Sequence, residues 1–205
     1  MRNSDAKVDG ADPAATIVGE GLVLRPWLDT DAHALVTLYN TEEMNEWTPV
    51  AHPFDLEQAR SYLQRAAARA AHEMVQRAVT EDGVTALGEI LLFATEVPLV
   101  CELGYAVNAD SRGRSIAARS VRAMLPVAEE LGYVHARLQI VTGNEPSEAV
   151  ARRTGFSPTA NPPILEHRKG RTVALATWTR QIAAAPADGV VHHYPRRGAR
   201  RDGQE

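Results

Sequence analysis

The sequence predicts an α/β fold of about six or seven strands and about four helices, and three observations carry that prediction. Residues 102–156 read as strand, glycine-containing turn, long amphipathic helix, strand, loop and short helix. Residues 73–80 and 85–94 are strand-like runs joined by Thr80, Glu81, Asp82 and Gly83, a hairpin turn. Residues 164–168 and 171–178 flank Lys169 and Gly170 as a closing hairpin. Strands interleaved with helices place the chain in the α/β class.

Length and composition bound the rest. A chain of 205 residues with 44% apolar content suits one globular domain with spare length for tails. A formal charge of −4 gives no general reason to expect nucleic acid or an anionic membrane as partner. Cys101 is the single cysteine, so no internal disulfide can form, and a reducing cytoplasm is the expected location. Cys101 lies in the apolar run 98–103, which reads as a buried thiol rather than a nucleophile. No stretch reaches the ~18 apolar residues of a membrane span. Residues 1–16 carry Asp5, Asp9 and Asp12 and no apolar signal-peptide core.

Taken in order, residues 1–15 read as a disordered lead, small and polar. Residues 17–27 have a strand pattern interrupted by Gly19 and Gly21. Asp29 or Thr30 can cap a first helix through Asn40, with Ala32, Leu35, Val36 and Leu38 at helical spacing. Residues 41–53 read as a loop holding Glu42, Glu43 and Glu46. Asp55 caps a second helix ending near Ala71. After the hairpin comes a third central strand, 99–107, then the long helix, 115–131. A strand over 136–141 and a short helix over 146–154 follow, with Gly155 as the left-handed residue that ends it. The domain is expected to span 16–180. Residues 181–205 read as a disordered tail with Arg196, Arg197, Arg200 and Arg201. His192 and His193 are adjacent, which is not the spacing of two ligands on one helical face, so no metal site is expected.

The turn Ala109-Asp110-Ser111-Arg112-Gly113-Arg114-Ser115-Ile116-Ala117 carries the chemistry. It feeds a helix start, where main-chain N–H groups lack intrahelical partners and the helix dipole adds positive charge. That is an anion site, most naturally for phosphate. A dinucleotide fold wants three glycines here and an acid about 20 residues on, and a nucleotide-hydrolase loop wants Lys-Ser or Lys-Thr. Neither pattern is present.

The turn resembles the coenzyme A loop of the GCN5-related N-acetyltransferase superfamily, Gln/Arg-x-x-Gly-x-Gly/Ala. Arg112 and Ala117 match it, and Ser115 stands in a glycine place. Asn144, Ser147, Val150, Ala151, Arg152, Gly155 and Phe156 match the family's Asn-x-x-Ser-x-x-Val-Ala-x-x-x-Gly-Phe run in spacing and order. Glu102-Leu103-Gly104-Tyr105 matches its Glu-Leu/Ile-Gly-Tyr strand. Leu22-Val23-Leu24-Arg25-Pro26-Trp27 looks like the first strand of the subgroup that acetylates ribosomal-protein N-termini, the RimJ and RimL enzymes.

The resemblance implies a mixed, splayed sheet and acetyl-coenzyme A as cofactor, with acetyl transfer to a primary amine of a small molecule or peptide. It implies cofactor contacts from Arg112, Gly113, Arg114, Ser115, Ile116 and Ala117, main chain near Val107, and the Asn144 amide. Ser147 is the implied acid for the leaving sulfur, with capping of the short helix as its other reading. Ser115 has a capping reading too. Glu102 sits in an apolar strand where burial raises a carboxylate's pKa, which suits a general base. Its alternatives are a structural pair with an arginine, Glu89 as base, or a water relay. The acceptor is expected to enter between 41–53 and 160–171, drawn by Glu42, Glu43 and Glu46. A coenzyme A binder without catalysis, a succinyl donor, and a homodimer are the other arrangements the sequence leaves open.

Overall fold

The computed structural model describes residues 15–69 and 74–184. The expected lead and nearly all of the expected tail, including His192, His193 and the arginine run, lie outside the described residues. So do Ala71 and Glu73, the expected end of the second helix and the expected start of the next strand.

Among the described residues nine strands form one sheet: β1 (Ile17–Gly19), β2 (Leu22–Arg25), β3 (Met74–Thr80), β4 (Gly88–Ala94), β5 (Val100–Val107), β6 (His135–Val141), β7 (Ser157–Pro158), β8 (Ile164–Arg168) and β9 (Arg171–Gln181). Their order is β1-β2-β3-β4-β5-β6-β9-β7, with β8 on β9. All neighbours are antiparallel except β5 and β6, so the sheet is mixed. Five helices accompany it: α1 (Ala32–Tyr39), α2 (Glu42–Trp47), α3 (Leu56–Arg69), α4 (Ile116–Glu130) and α5 (Glu145–Arg153).

These counts exceed the expected ones for local reasons. The run 17–27 is two strands, because Glu20 and Gly21 turn with φ of 55° and 67°. β7 is a two-residue pairing too short to show in a sequence pattern. The expected loop 41–53 contains α2, started by the Thr41 side chain, which accepts from Met44 N at 3.1 Å. The expected tight hairpin turn after Thr80 is a loop of residues 81–87 instead. Asp82 organises that loop by accepting from Val84 N, Thr85 N and Thr85 Oγ1.

Each face of the sheet has its own apolar core. On one, α4 buries Ile116, Val121, Met124 and Ala128 against Leu24, Ile90, Leu92 and Leu103 of the strands. Pro126 lies on the exposed side of α4, where it removes one hydrogen bond from the helix. On the other, Leu35, Leu38 and Tyr39 of α1 meet Phe54 and Ala59 and Leu63 of α3. Asp55 and Gln58 form a reciprocal capping box at the start of α3. Phe156 folds back into the first core after Gly155, whose φ is 78°.

Candidate active site

The site begins where two strands part. β5 pairs with β4 along its whole length, from Cys101 opposite Ala94 to Val107 opposite Gly88. It pairs with β6 at only three positions: Val100 with His135, Cys101 with Ala136, and Glu102 with Arg137. β6 meanwhile stays paired to β9 throughout. The main chain of β5 beyond Glu102 therefore faces a gap rather than a strand. A cleft of about 1630 Å³ runs through that gap, lined by both strands, by residues around the turn before α4, and by the start of α5.

The turn is built for close approach to an anion. Gly113 has φ of 76°, and a Cβ there would meet nothing within 4 Å. Ser115 also adopts the left-handed region, with φ of 57° and ψ of 22°, at the N-cap of α4. A left-handed conformation costs an L-residue roughly 1–2 kcal/mol that glycine escapes. The Ser115 side chain makes no capping bond, so the first-turn N–H groups of α4 stay available. Arg112, Gly113, Ser115, Ile116, Ala117 and, at the strand end, Val107 line the cleft. Arg112 is held by Glu43 of α2 at 2.6 Å. Arg114 is the exception: its side chain turns outward to Glu81, which also pairs with Arg119, and it does not line the cleft.

At the far side of the gap, Asn144 caps α5, its Oδ1 accepting from Ser147 N at 3.1 Å. Asn144, not Ser147, performs the capping. Ser147 sits one turn inside and lines the cleft with Asn144. Opposite it, Tyr105 of β5 donates to the Ser147 carbonyl oxygen at 3.2 Å. Burial pushes the Tyr105 phenol up to about 12, so it stays protonated at neutral pH. In the sequence Tyr105 stands only as part of a strand motif. Its odd position relative to Glu102, on the opposite face, was the available signal.

Two carboxylates lie on the α1–α3 face of the sheet. Glu102 shares that face with Gly104 and Ala106, and lines the cleft. Arg137, its partner across the parallel pairing, donates from Nε at 2.8 Å and also reaches Glu96. Burial raises the Glu102 pKa and Arg137 opposes that rise. Glu89 is fully buried and is not part of the cleft wall. Its Oε1 accepts from Trp27 Nε1 and Gln76 Nε2, each at 2.7 Å. Its Oε2 accepts from Tyr62 at 2.6 Å and from Tyr39. Removal from water raises the Glu89 pKa and outweighs the four bonds that lower it. Tyr39 and Tyr62 both border the cleft, so they stand between it and Glu89. Those donors come from four separate elements, which is why no local pattern announced them.

The two segments expected to flank the acceptor mouth touch each other. Lys169 Nζ donates to the Asn45 carbonyl at 3.0 Å, Arg168 to the Trp47 carbonyl at 3.3 Å, and Arg171 to the Glu46 carbonyl. The β8–β9 hairpin thus seats its cations on the C-terminal carbonyls of α2, where the helix dipole is negative. Of the three glutamates expected to colour this mouth, Glu43 is neutralised by Arg112 and Glu42 lies 3.4 Å from His52. Cys101 is buried, and its thiol is pushed up to about 12 by burial. Among the described residues no cluster of three potential metal ligands occurs, and no helix is long and apolar enough to cross a membrane.

A family model described as an acetyltransferase (GNAT) domain matches residues 21–157. No curated protein matches the chain. Among solved structures, a probable acetyltransferase of the GNAT family from Chromobacterium violaceum is 22% identical, with TM-score 0.71 over 88% of this chain and 96% of that one. An acetyltransferase of the GNAT family from Bacillus anthracis is 15% identical, with TM-score 0.70 over 82% and 98%. RimJ of Mycobacterium smegmatis, in complex with CoA-disulfide, is 18% identical, with TM-score 0.65 over 82% and 86%. At these identities the likeness concerns the fold alone.

Proposed function

The chain belongs to the GNAT acetyltransferase family, and from that premise we propose that it transfers an acetyl group from acetyl-coenzyme A to a primary amine by direct attack. The observation that carries this reading is the parting of β5 and β6 after Glu102, with a left-handed turn and an open helix start at its end. The residues present suit an extended ligand with a phosphate head. Gly113, Ser115, Ile116 and Ala117 would hold the pyrophosphate through main-chain N–H groups. The free edge of β5 and the Asn144 amide would hold the pantetheine arm, as an added strand is held. The structure of RimJ with CoA-disulfide supports the choice of cofactor.

When bound, acetyl-coenzyme A supplies a thioester-activated acetyl group. The chain's own residues move the protons. Glu102, whose carboxylate Arg137 favours against the rise caused by burial, takes the amine proton directly or through water. Ser147 and Tyr105 both line the gap at its α5 side, Tyr105 bonded to the Ser147 carbonyl, and their hydroxyls would be the proton donors available to a thiolate leaving group. Main-chain N–H near Val107 would be the donor available to the acyl oxygen. A cytoplasmic location fits this chemistry and the single buried thiol.

Gly113→Pro tests the cofactor site. Proline requires φ near −65° and removes an N–H, whereas Gly113 sits at 76°. The variant is expected to fold, by circular dichroism, yet show no heat of coenzyme A binding in calorimetry. Parent-like affinity in a folded variant would put the cofactor elsewhere.

A further inference from the structure

Arg168 is a part-buried cation whose hydrogen-bond donors are mostly unmatched. Its side chain is only 10% exposed, and it lines the cleft with Glu166 on the same face of β8. A guanidinium carries five N–H donors. Here one bonds the Trp47 carbonyl at 3.3 Å, at the long end of the range. The nearest carboxylate oxygen, on Glu166, is 3.8 Å from Nη1, beyond hydrogen-bond distance. Nε is buried and has no acceptor. Glu166 is 44% exposed and remains hydrated, so it compensates Arg168 weakly. Lys169 and Arg171 stand close by and add positive charge. Burial pushes the Arg168 pKa down, Glu166 opposes that fall, and Arg171 adds to it, so the net direction is downward.

Of the other cations lining the cleft, Arg153 is exposed to solvent and the remaining two are matched. Arg137 is taken by Glu102 and Glu96, and Arg112 by Glu43. A part-buried charge left this poorly matched costs stability that a protein ordinarily avoids. Such a group calls for a partner that arrives from outside. Only an anion would complete it, and the planar fork favours a carboxylate bound through two N–H groups.

We propose that Arg168 receives a carboxylate of the acceptor, so that the substrate is an amine that also carries a carboxylate. This rests on the transferase reading above and narrows it. Glu102 lies within electrostatic reach of Glu166, which shares the β8 face with Arg168. An acceptor lying along the cleft would thus present its amine toward Glu102 and its carboxylate toward Arg168. Two sources meet that description: a free amino acid, and a peptide N-terminus followed by an acidic side chain.

Matched acceptors decide it, with the full chain, acetyl-coenzyme A, and mass spectrometry of the products. One arm compares free amino acids with their carboxamides. The other compares dipeptide amides bearing Asp or Glu second with those bearing Asn or Gln. In one arm the carboxylate member should be favoured by about tenfold to a hundredfold in kcat/KM, the range of a charge-assisted hydrogen bond. Arg168→Gln should bring that ratio near one. Lys169→Gln breaks a comparable bond to α2 outside the cleft and removes one nearby exposed charge, so it should lower the ratio far less than Arg168→Gln does. Equal rates for both members in both arms would overturn the carboxylate proposal and leave the transferase standing. If acetyl-coenzyme A binds but no amine is acetylated, the transferase reading fails instead. The carboxylate site is then read by the melting-temperature rise with N-acetyl amino acids, compared with their amides. A rise confined to the acids and lost in Arg168→Gln supports it, and no rise overturns it.

Discussion

Gly88 shows how one missing side chain shapes the site. It opens β4 directly opposite Val107, and a Cβ there would lie 2.3 Å from the Ala106 carbonyl oxygen and 3.1 Å from Val107 Cα. Both obstacles are main chain, so neither can rotate away. Gly88→Ala is expected to destabilise the fold by about 3 kcal/mol, the upper range for overpacking, read as a lowered melting temperature. Stability equal to the parent would mean that β4 and β5 separate easily at the cleft floor. Gly113 differs, since its Cβ direction is open and only its φ restrains it. Ser115 accepts the same left-handed region with a side chain, and because its hydroxyl makes no capping bond, that cost is not recovered within the turn.

At the scale of elements, α2 joins the two halves of the cleft. Its first turn holds Arg112 of the phosphate turn through Glu43, and its C-terminal carbonyls hold the β8–β9 hairpin. The Glu43–Arg112 pair is about two-fifths exposed on both sides, where such pairs contribute about 0–1 kcal/mol. Its consequence is competition, because Arg112 cannot serve Glu43 and a phosphate fully at once. Glu43→Gln should leave the melting temperature within error and tighten coenzyme A binding about two- to fivefold, the equivalent of that exposed-pair range. Weaker binding in the variant would show that Glu43 positions Arg112 rather than competing for it. The pattern of 41–53 suggests a loop because a six-residue helix is shorter than the window in which periodicity shows.

At the scale of the molecule, Glu89 ties α1, α3, β3 and the chain after β2 to β4. Its raised pKa has a consequence for stability. The folded state holds the Glu89 proton more tightly than the unfolded state does. This contribution is therefore fully present below the ordinary glutamate value and is lost as pH rises through the raised one. Chemical denaturation of parent and Glu89→Gln across that window should show a fall with pH in the parent that the variant lacks. The substituted amide would keep the shape while the two tyrosine hydroxyls rotate to accept. Parallel profiles would mean that Glu89 is ionised in the fold throughout. The amino-acid sequence by itself determined the strand–turn–helix from Glu102 to Phe156, the cap at Asp55, the burial of Cys101 and Phe156, and the membership that Asn144 and Ser147 signal. The membership follows from resemblance to the family's motif, and the others from periodicity and turn chemistry, which act over a few residues. Only the tertiary structure decided that Glu102 faces Arg137, that Glu89 gathers Trp27, Tyr39, Tyr62 and Gln76, and that the part-buried Arg168 has no anion within hydrogen-bond distance. Those contacts join residues from 13 to 62 positions apart. Their partners are chosen by strand register and layer packing, which no local pattern encodes.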